Sequence, residues 1–228
     1  MAAARTDTPP AARSVTVPTT RRERLRRELV DDVVATARRH LAEGGPAAVS
    51  WRGIARECGV NPATLYTYFD NLDDLFTSVI LDSFTRLAAA VGAAADAAVE
   101  LDPVERVMAC AHADRSWALE HPAEFNLVFT DRIPGYAAPP DGPTVEIQAQ
   151  IFGPFIAALD ALADGAADES PGLAESPGLA ESPGLADERV GLWATMHGFV
   201  MLEINHHLPF VDDHHGVFDA TLRRSLER

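Results

Sequence analysis

Between positions 203 and 215 the sequence gathers seven side chains able to hold a metal: Glu203, His206, His207, Asp212, Asp213, His214 and His215. Imidazole and carboxylate together suit zinc or nickel. Neighbouring pairs on a helix point in different directions, however, and Pro209 breaks the segment, so no closed ligand set is expected. Cys58 and Cys110 are the only cysteines, too far apart to read as a disulfide framework or a metal motif. Cys58, with nothing basic placed to lower its pKa, is expected to be a reduced core residue. The chain carries no Gly-x-Ser-x-Gly, no phosphate loop and no His-Glu-x-x-His. An enzyme is therefore not expected, and neither is a cofactor or a metal.

What the residues offer instead is charge, unevenly divided. Residues 1–70 hold eleven Arg against eight acids, a net of +3; residues 71–228 hold eight Arg against twenty-six acids, a net of −18. A mildly basic head on an acidic body implies that one end meets a polyanion and the other keeps it off. No lysine is present, which reads as a bias of composition rather than a signal. No apolar run approaches the ~20 residues that span a bilayer, and residues 1–20 lack the apolar stretch of a secretory signal. The expectation is a cytoplasmic protein with no membrane association.

The elements that must position these charges are helical throughout. Residues 1–20, rich in Ala, Thr and Pro, read as a flexible tail. Val30, Val33, Val34, Ala37 and Leu41 then form one apolar stripe of a long helix whose first turns carry Arg21, Arg22, Arg24, Arg26 and Arg27, and Gly44-Gly45-Pro46 ends it. Ser50 reads as the cap of a short helix from Trp51 to Cys58. Asn61 caps a third helix, with Pro62 at its first position, running to about Phe69. Asn71 with Asp74 opens a fourth, long and Ala-rich, to about Val99. Helices are expected from Pro103 to Glu120, Pro122 to Thr130, Thr144 to Ala163 and Asp187 to Leu208, with a short one near the C-terminus. About nine helices and no sheet result. The hexapeptide Glu-Ser-Pro-Gly-Leu-Ala repeats three times across 169–186, too short a unit for a solenoid, and reads as a mobile loop.

Helices of about 24, 8 and 7 residues, with a tight turn at Cys58-Gly59-Val60-Asn61, have the form of a helix-turn-helix, whose second helix, Pro62 to Tyr68, would lie in the major groove. Residues 27–76 resemble the DNA-binding domain of the TetR family, most specifically in Gly59-Val60, Thr64-Leu65-Tyr66 and Tyr68-Phe69. The resemblance implies a helix-turn-helix domain over 21–70 and an effector-binding and dimerisation domain over 71–228. It implies that Ile54, Ala55, Val60, Leu65 and Phe69 fix the angle between helices. Pro62, Ala63, Thr64 and Thr67 would face base edges, threonine offering a hydroxyl and a methyl. Tyr66 and Tyr68 would bind phosphates, against the alternative that they pack on Trp51 and Phe69. Arg52 would reach a phosphate or a guanine, and Asn61 would leave a helix N-terminus facing the backbone. The family's early fourth-helix lysine is replaced by Leu72, which places that phosphate contact on the first helix and the tail, or removes it.

In the body, Trp193 to Gly198 and Glu120 to Phe125 resemble one subset of TetR-type effector domains. That picture pairs the helices near 144–163 and 187–208 across a two-fold axis. Gly198, in mid-helix, then implies close approach at the dimer seam or beside a ligand. Phe84, Leu87, Trp117, Phe125, Phe129, Phe152, Phe155, Trp193, His197 and Met201 are the candidate walls of an effector pocket, with bundle core as the alternative for each. The expected function is a ligand-responsive regulator, a repressor released from a near-palindromic double-stranded operator by a small hydrophobic effector and acting as a homodimer. The alternatives are a ligand-blind DNA-binding or architectural protein, and an activator.

Overall fold

The structure, a computed structural model, describes residues 20–129, Ile133, 151–162 and 183–227, with backbone alone for 183–188. The expectations placed on the tail, on the segment 134–150 and on repeat residues 169–182 lie outside the described residues.

Helix α1 (Arg21–Gly44) begins at a two-way cap: the Glu23 amide donates to Thr20 Oγ1 (3.2 Å) and the Thr20 amide to Glu23 Oε2 (2.8 Å). Its buried side is the apolar stripe Val33, Val34, Ala37 and Leu41. It ends where Gly45, at φ +68°, donates its amide to the Leu41 carbonyl. After one 3₁₀ turn (Pro46–Ala48) comes α2 (Trp51–Glu57), its Ser50 cap accepting from the Gly53 amide. Gly59, at φ +67°, makes a left-handed turn that glycine adopts without strain.

Helix α3 (Pro62–Leu65) is shorter than expected. Beyond Leu65 the chain continues to Phe69 in tight turns, with the Thr67 amide on the Thr64 carbonyl and the Tyr68 amide on that of Leu65. The reason is local: the Thr67 hydroxyl also donates to the Thr64 carbonyl (2.7 Å), and Tyr-Thr-Tyr-Phe is a run of β-branched and aromatic residues that favour helix poorly.

Helix α4 (Leu72–Ala97) is capped by Asn71, which accepts from the Asp74 amide, while Asp74 accepts from the Asp70 amide. It buries Leu75, Phe76 and Val79 at one end and Phe84, Leu87 and Val91 at the other, so one rod serves both halves of the molecule. By length and composition α4 could cross a membrane, contrary to the expectation from its apolar runs, yet half of its most apolar stretch is buried within the protein and Asp82 and Arg86 on it are ion-paired. It is an interior helix of this fold.

Helices α5 (Pro103–Glu120), α6 (Pro122–Phe129), α7 (Ile151–Leu162), α8 (Pro183–Ile204) and α9 (His214–Leu226) complete the body. Helix α5 packs on α4, α6, α8 and α9. Helix α8 starts inside the third repeat copy, four residues before the expected Asp187, and stops at Ile204 rather than Leu208. There Asn205 exchanges two amide hydrogen bonds with Asn126 (3.1 and 3.2 Å), and His206 turns the chain at φ +59°. The described residues contain nine α-helices and no strand, an all-α fold. Their apolar core is one cluster from Val33 to Leu222.

Candidate DNA interface and effector pocket

The helix-turn-helix packs on α1 through Ile54, Ala55 and Leu65, and a carboxylate adds a surface link. Glu57, at the end of α2, accepts from Arg39 Nη2 and pairs with His40 Nε2, both at 2.7 Å, and these bonds hold its carboxyl below the usual range. With α2 fixed, its neighbour α3 presents a surface on which Arg52, Asn61, Ala63, Tyr66 and Thr67 are exposed and Pro62, Thr64 and Tyr68 half-buried. Leu65, wholly buried, anchors that surface from below with Ile54 and Ala55. Tyr66 packs its ring on Trp51 (centroids 5.4 Å) and still leaves 55% of itself in solvent, so packing and outward contact are compatible. The Asn61 side chain accepts from the Ala63 amide and its carbonyl from the Thr64 amide, which occupies the donors an anion at that helix end would need. Arg26, from the basic first turns of α1, lies over the Tyr68 ring at 5.3 Å, and a groove lined by Arg22, Arg26, Thr67 and Tyr68 joins α1 to the recognition segment.

In the body the aromatic candidates converge on His197. Phe125, Phe129 and Trp193 surround its ring at centroid distances of 5.5, 4.8 and 4.8 Å, Trp193 stacked at 24°. Phe84 meets Phe129, Trp117 meets Phe125 and Phe152 meets Trp193. Leu87 is fully buried on α4, and Met201 is half-buried against the core. Phe152, Phe155 and Trp193 also line a nearly apolar cleft of about 210 Å³ between α7 and α8. His197 Nδ1 is buried with no hydrogen-bond partner among the described residues, and burial pushes the imidazole pKa down. Among the described residues a Cβ on Gly198 would meet nothing within 4 Å, so none of the described helices requires glycine there.

Head and body meet at one more carboxylate. Glu124 of α6 accepts from Arg86 Nη1 of α4 (2.7 Å) and Ser83 Oγ (3.3 Å), and Arg38 Nε of α1 stands 3.7 Å from it. Arg38 also donates to Asp82 of α4. Beyond the nearby His121 (3.7 Å from Glu124), the partners that Arg38 and Glu124 meet across helices lie 38 to 86 positions away, so local sequence does not announce the junction.

The model of bacterial regulatory proteins of the tetR family matches residues 33–79, and that of the tetracyclin repressor-like C-terminal domain matches 107–225. Helix-turn-helix transcriptional regulators of Mycobacterium bovis and Mycobacterium tuberculosis are 31% identical over 218 residues, 89% of this chain and 93% of theirs. The chain belongs to the TetR family. Among solved structures, that of regulatory protein SCO4313 is 30% identical with a TM-score of 0.72, covering 92% of this chain and 100% of that one. A TetR family transcription regulator from Marinobacter aquaeolei shares the fold at 19% identity and a TM-score of 0.58, covering 90% of this chain and 97% of its own. This is a DNA-binding transcriptional regulator and not an enzyme.

The TetR C-terminal match contains the C-terminal histidine and carboxylate cluster, whose members go separate ways. Glu203 is buried in a bidentate pair with Arg115 (2.7 and 2.6 Å), with His214 Nδ1 at 3.2 Å from it. His214 Nε2 faces the Leu208 carbonyl, Asp213 caps α9, and His206, His207 and Asp212 are exposed. Among the described residues no three such groups converge on a metal position. Cys58 Sγ lies 3.7 Å from Thr36 Oγ1, and burial pushes the Cys110 thiol up to about 11.

Proposed function

We propose that this TetR-family regulator is a ligand-responsive repressor that binds a near-palindromic operator as a homodimer and leaves it when a small effector enters the body. Arg52, Thr64, Tyr66, Thr67 and Tyr68 make the groove and phosphate contacts, helped by Arg26. The acidic body, net −18, faces away from DNA. The dimer forms through α7 and α8, a reading supported by the exposure of Ile156 and Val190 on that face. Two recognition segments must then stand about one DNA turn, ~34–36 Å, apart.

The observation that carries the ligand response is the Glu124 junction. Helix α6 holds Phe125 and Phe129 against His197 and, one residue earlier, Glu124 against Arg86 and near Arg38. An effector that displaces those rings displaces α6, and α6 carries the carboxylate that ties α1 and α4 together. Arg38→Gln shortens the side chain and removes the charge that pairs with Asp82 and stands near Glu124. Its expected outcome is near-normal operator affinity with effector release weakened several-fold, measured by fluorescence anisotropy on the DNA upstream of the regulator's own gene. Coupling is reciprocal, so operator must weaken effector binding by the factor by which effector weakens operator binding. Equal effector affinities with and without operator would replace this reading with a ligand-blind DNA-binding protein.

A further inference from the structure

Helix α5 carries two charged side chains in succession that leave the surface, and only one is provided for. Arg115 finds Glu203 in two short hydrogen bonds. Asp114 is wholly buried, and neither of its carboxyl oxygens has a hydrogen-bond partner among the described residues. It sits on the α5 face that buries Val107, Cys110, Ala111, Trp117 and Ala118, so the carboxyl points into the body and not along its surface. A buried polar group left without a partner is costly and uncommon in folded proteins, and one that persists calls for a use.

Its surroundings state which use. One turn on from Asp114, on the same buried face of α5, the Trp117 ring meets Phe125 at 6.4 Å, and Phe125 meets His197, so Asp114 shares its helix face with a member of the ring cluster. Aromatic faces attract cations, as does a carboxylate. Burial keeps His197 neutral, so it adds no opposing charge beside these rings. The whole body is acidic, eight Arg against twenty-six acids over 71–228, which raises the local concentration of organic cations and lowers that of anions.

We infer that the effector is a small organic cation, an ammonium group on an aromatic or apolar frame, whose N–H donors pair with the Asp114 carboxyl while its frame lies against the Trp117, Phe125 and His197 rings. The inference rests on the ligand-sensing reading above and narrows its chemistry. It also explains why the two adjacent charges are treated differently: Arg115 is a permanent structural pair, and Asp114 is completed from outside.

The test compares two probes of one shape, 2-phenylethylamine and the neutral 2-phenylethanol, by calorimetric titration of the full-length dimer at about pH 8, where the amine is charged. Salt of about 0.3 M screens adventitious attraction to the acidic surface. The expected result is an affinity for the amine at least about tenfold above that for the alcohol, with the ratio collapsing toward one in Asp114→Asn. A preference for the amine that survives Asp114→Asn would overturn the inference. So would equal binding of both probes to the wild-type protein, though the sensing reading would then stand. A protein that takes up neither probe, and whose operator binding responds to neither, would overturn both. Should Asp114→Asn not fold, the wild-type ratio decides alone, together with whether operator DNA depresses amine binding and leaves the ratio unchanged.

Discussion

In the head, polar side chains face outward: Arg22, Arg26, Arg52, Tyr66 and Thr67 stand in solvent, and the buried residues under them, Ile54, Ala55 and Leu65, are apolar. In the body the order is partly reversed, for Arg115, Glu203 and Asp114 lie inside while Leu202, Phe210 and Val217 are exposed. On the function proposed above, the difference follows from what each half would touch. A polyanion is read from outside, by groups that stay hydrated until they meet it. A small molecule is read from inside, where a few buried polar groups among rings carry the selectivity. One chain thus keeps its charges cheap at one end and costly at the other.

The sharpest test of that contrast is to remove one acid from each half. Glu203→Ala leaves the Arg115 guanidinium buried without its partner and should cost about 3–5 kcal/mol in urea unfolding. Glu57→Ala, which breaks the Arg39 and His40 bonds at an exposed site, should leave the urea midpoint almost unmoved. Comparable losses in the two variants would mean that the head is as dependent on internal charge as the body, and the comparison would fail.

Next in size is the pH response of the interior. Burial raises the Asp114 carboxyl to about 7. The folded protein then holds that proton more tightly than the unfolded chain does. Its contribution to stability is therefore complete below about pH 4 and is lost as pH rises through about 7. Asp114→Asn should remove the loss and raise the melting temperature at alkaline pH, by at most a few kcal/mol of stability, while changing little in acid. Parallel melting curves for wild type and variant from pH 4 to 8 would show that the carboxyl is solvated after all.

A smaller effect is expected at the outer face. Tyr66→Phe deletes one hydroxyl from a ring already seated on Trp51, so stability should hold while operator affinity falls roughly tenfold, the worth of one hydrogen bond to a charged phosphate. Anisotropy titrations decide it, and an unchanged affinity would assign Tyr66 to packing alone.

Much of this was legible in the residues. The α1 stripe, the caps at Ser50, Asn61 and Asn71 and the glycine turn at Gly59 are short-range signals, and the helices they announce form where expected. The end of α3 was not legible, because it depends on a hydroxyl of Thr67 choosing a backbone acceptor over solvent. The Glu124 junction was not legible either, since Arg38, Asp82, Arg86 and Glu124 are brought together by packing and not by spacing. Asp114 is a different case. It falls four residues after Cys110 and three before Trp117, an acid in the middle of an apolar helix face, and periodicity alone could have marked it.

The same Thr67 hydroxyl sets a limit on what the recognition segment can read. Its hydrogen is spent on the Thr64 carbonyl, so towards DNA it can offer only lone pairs and a methyl group. Adenine and cytosine present an amino group in the major groove and thymine a methyl, whereas guanine presents acceptors alone. With Thr67 in the groove, guanine is the one base it cannot serve. Selection from a randomised operator library should deplete guanine at the facing position, and Thr67→Val should lift that depletion only slightly, because valine keeps the methyl and offers guanine no donor either.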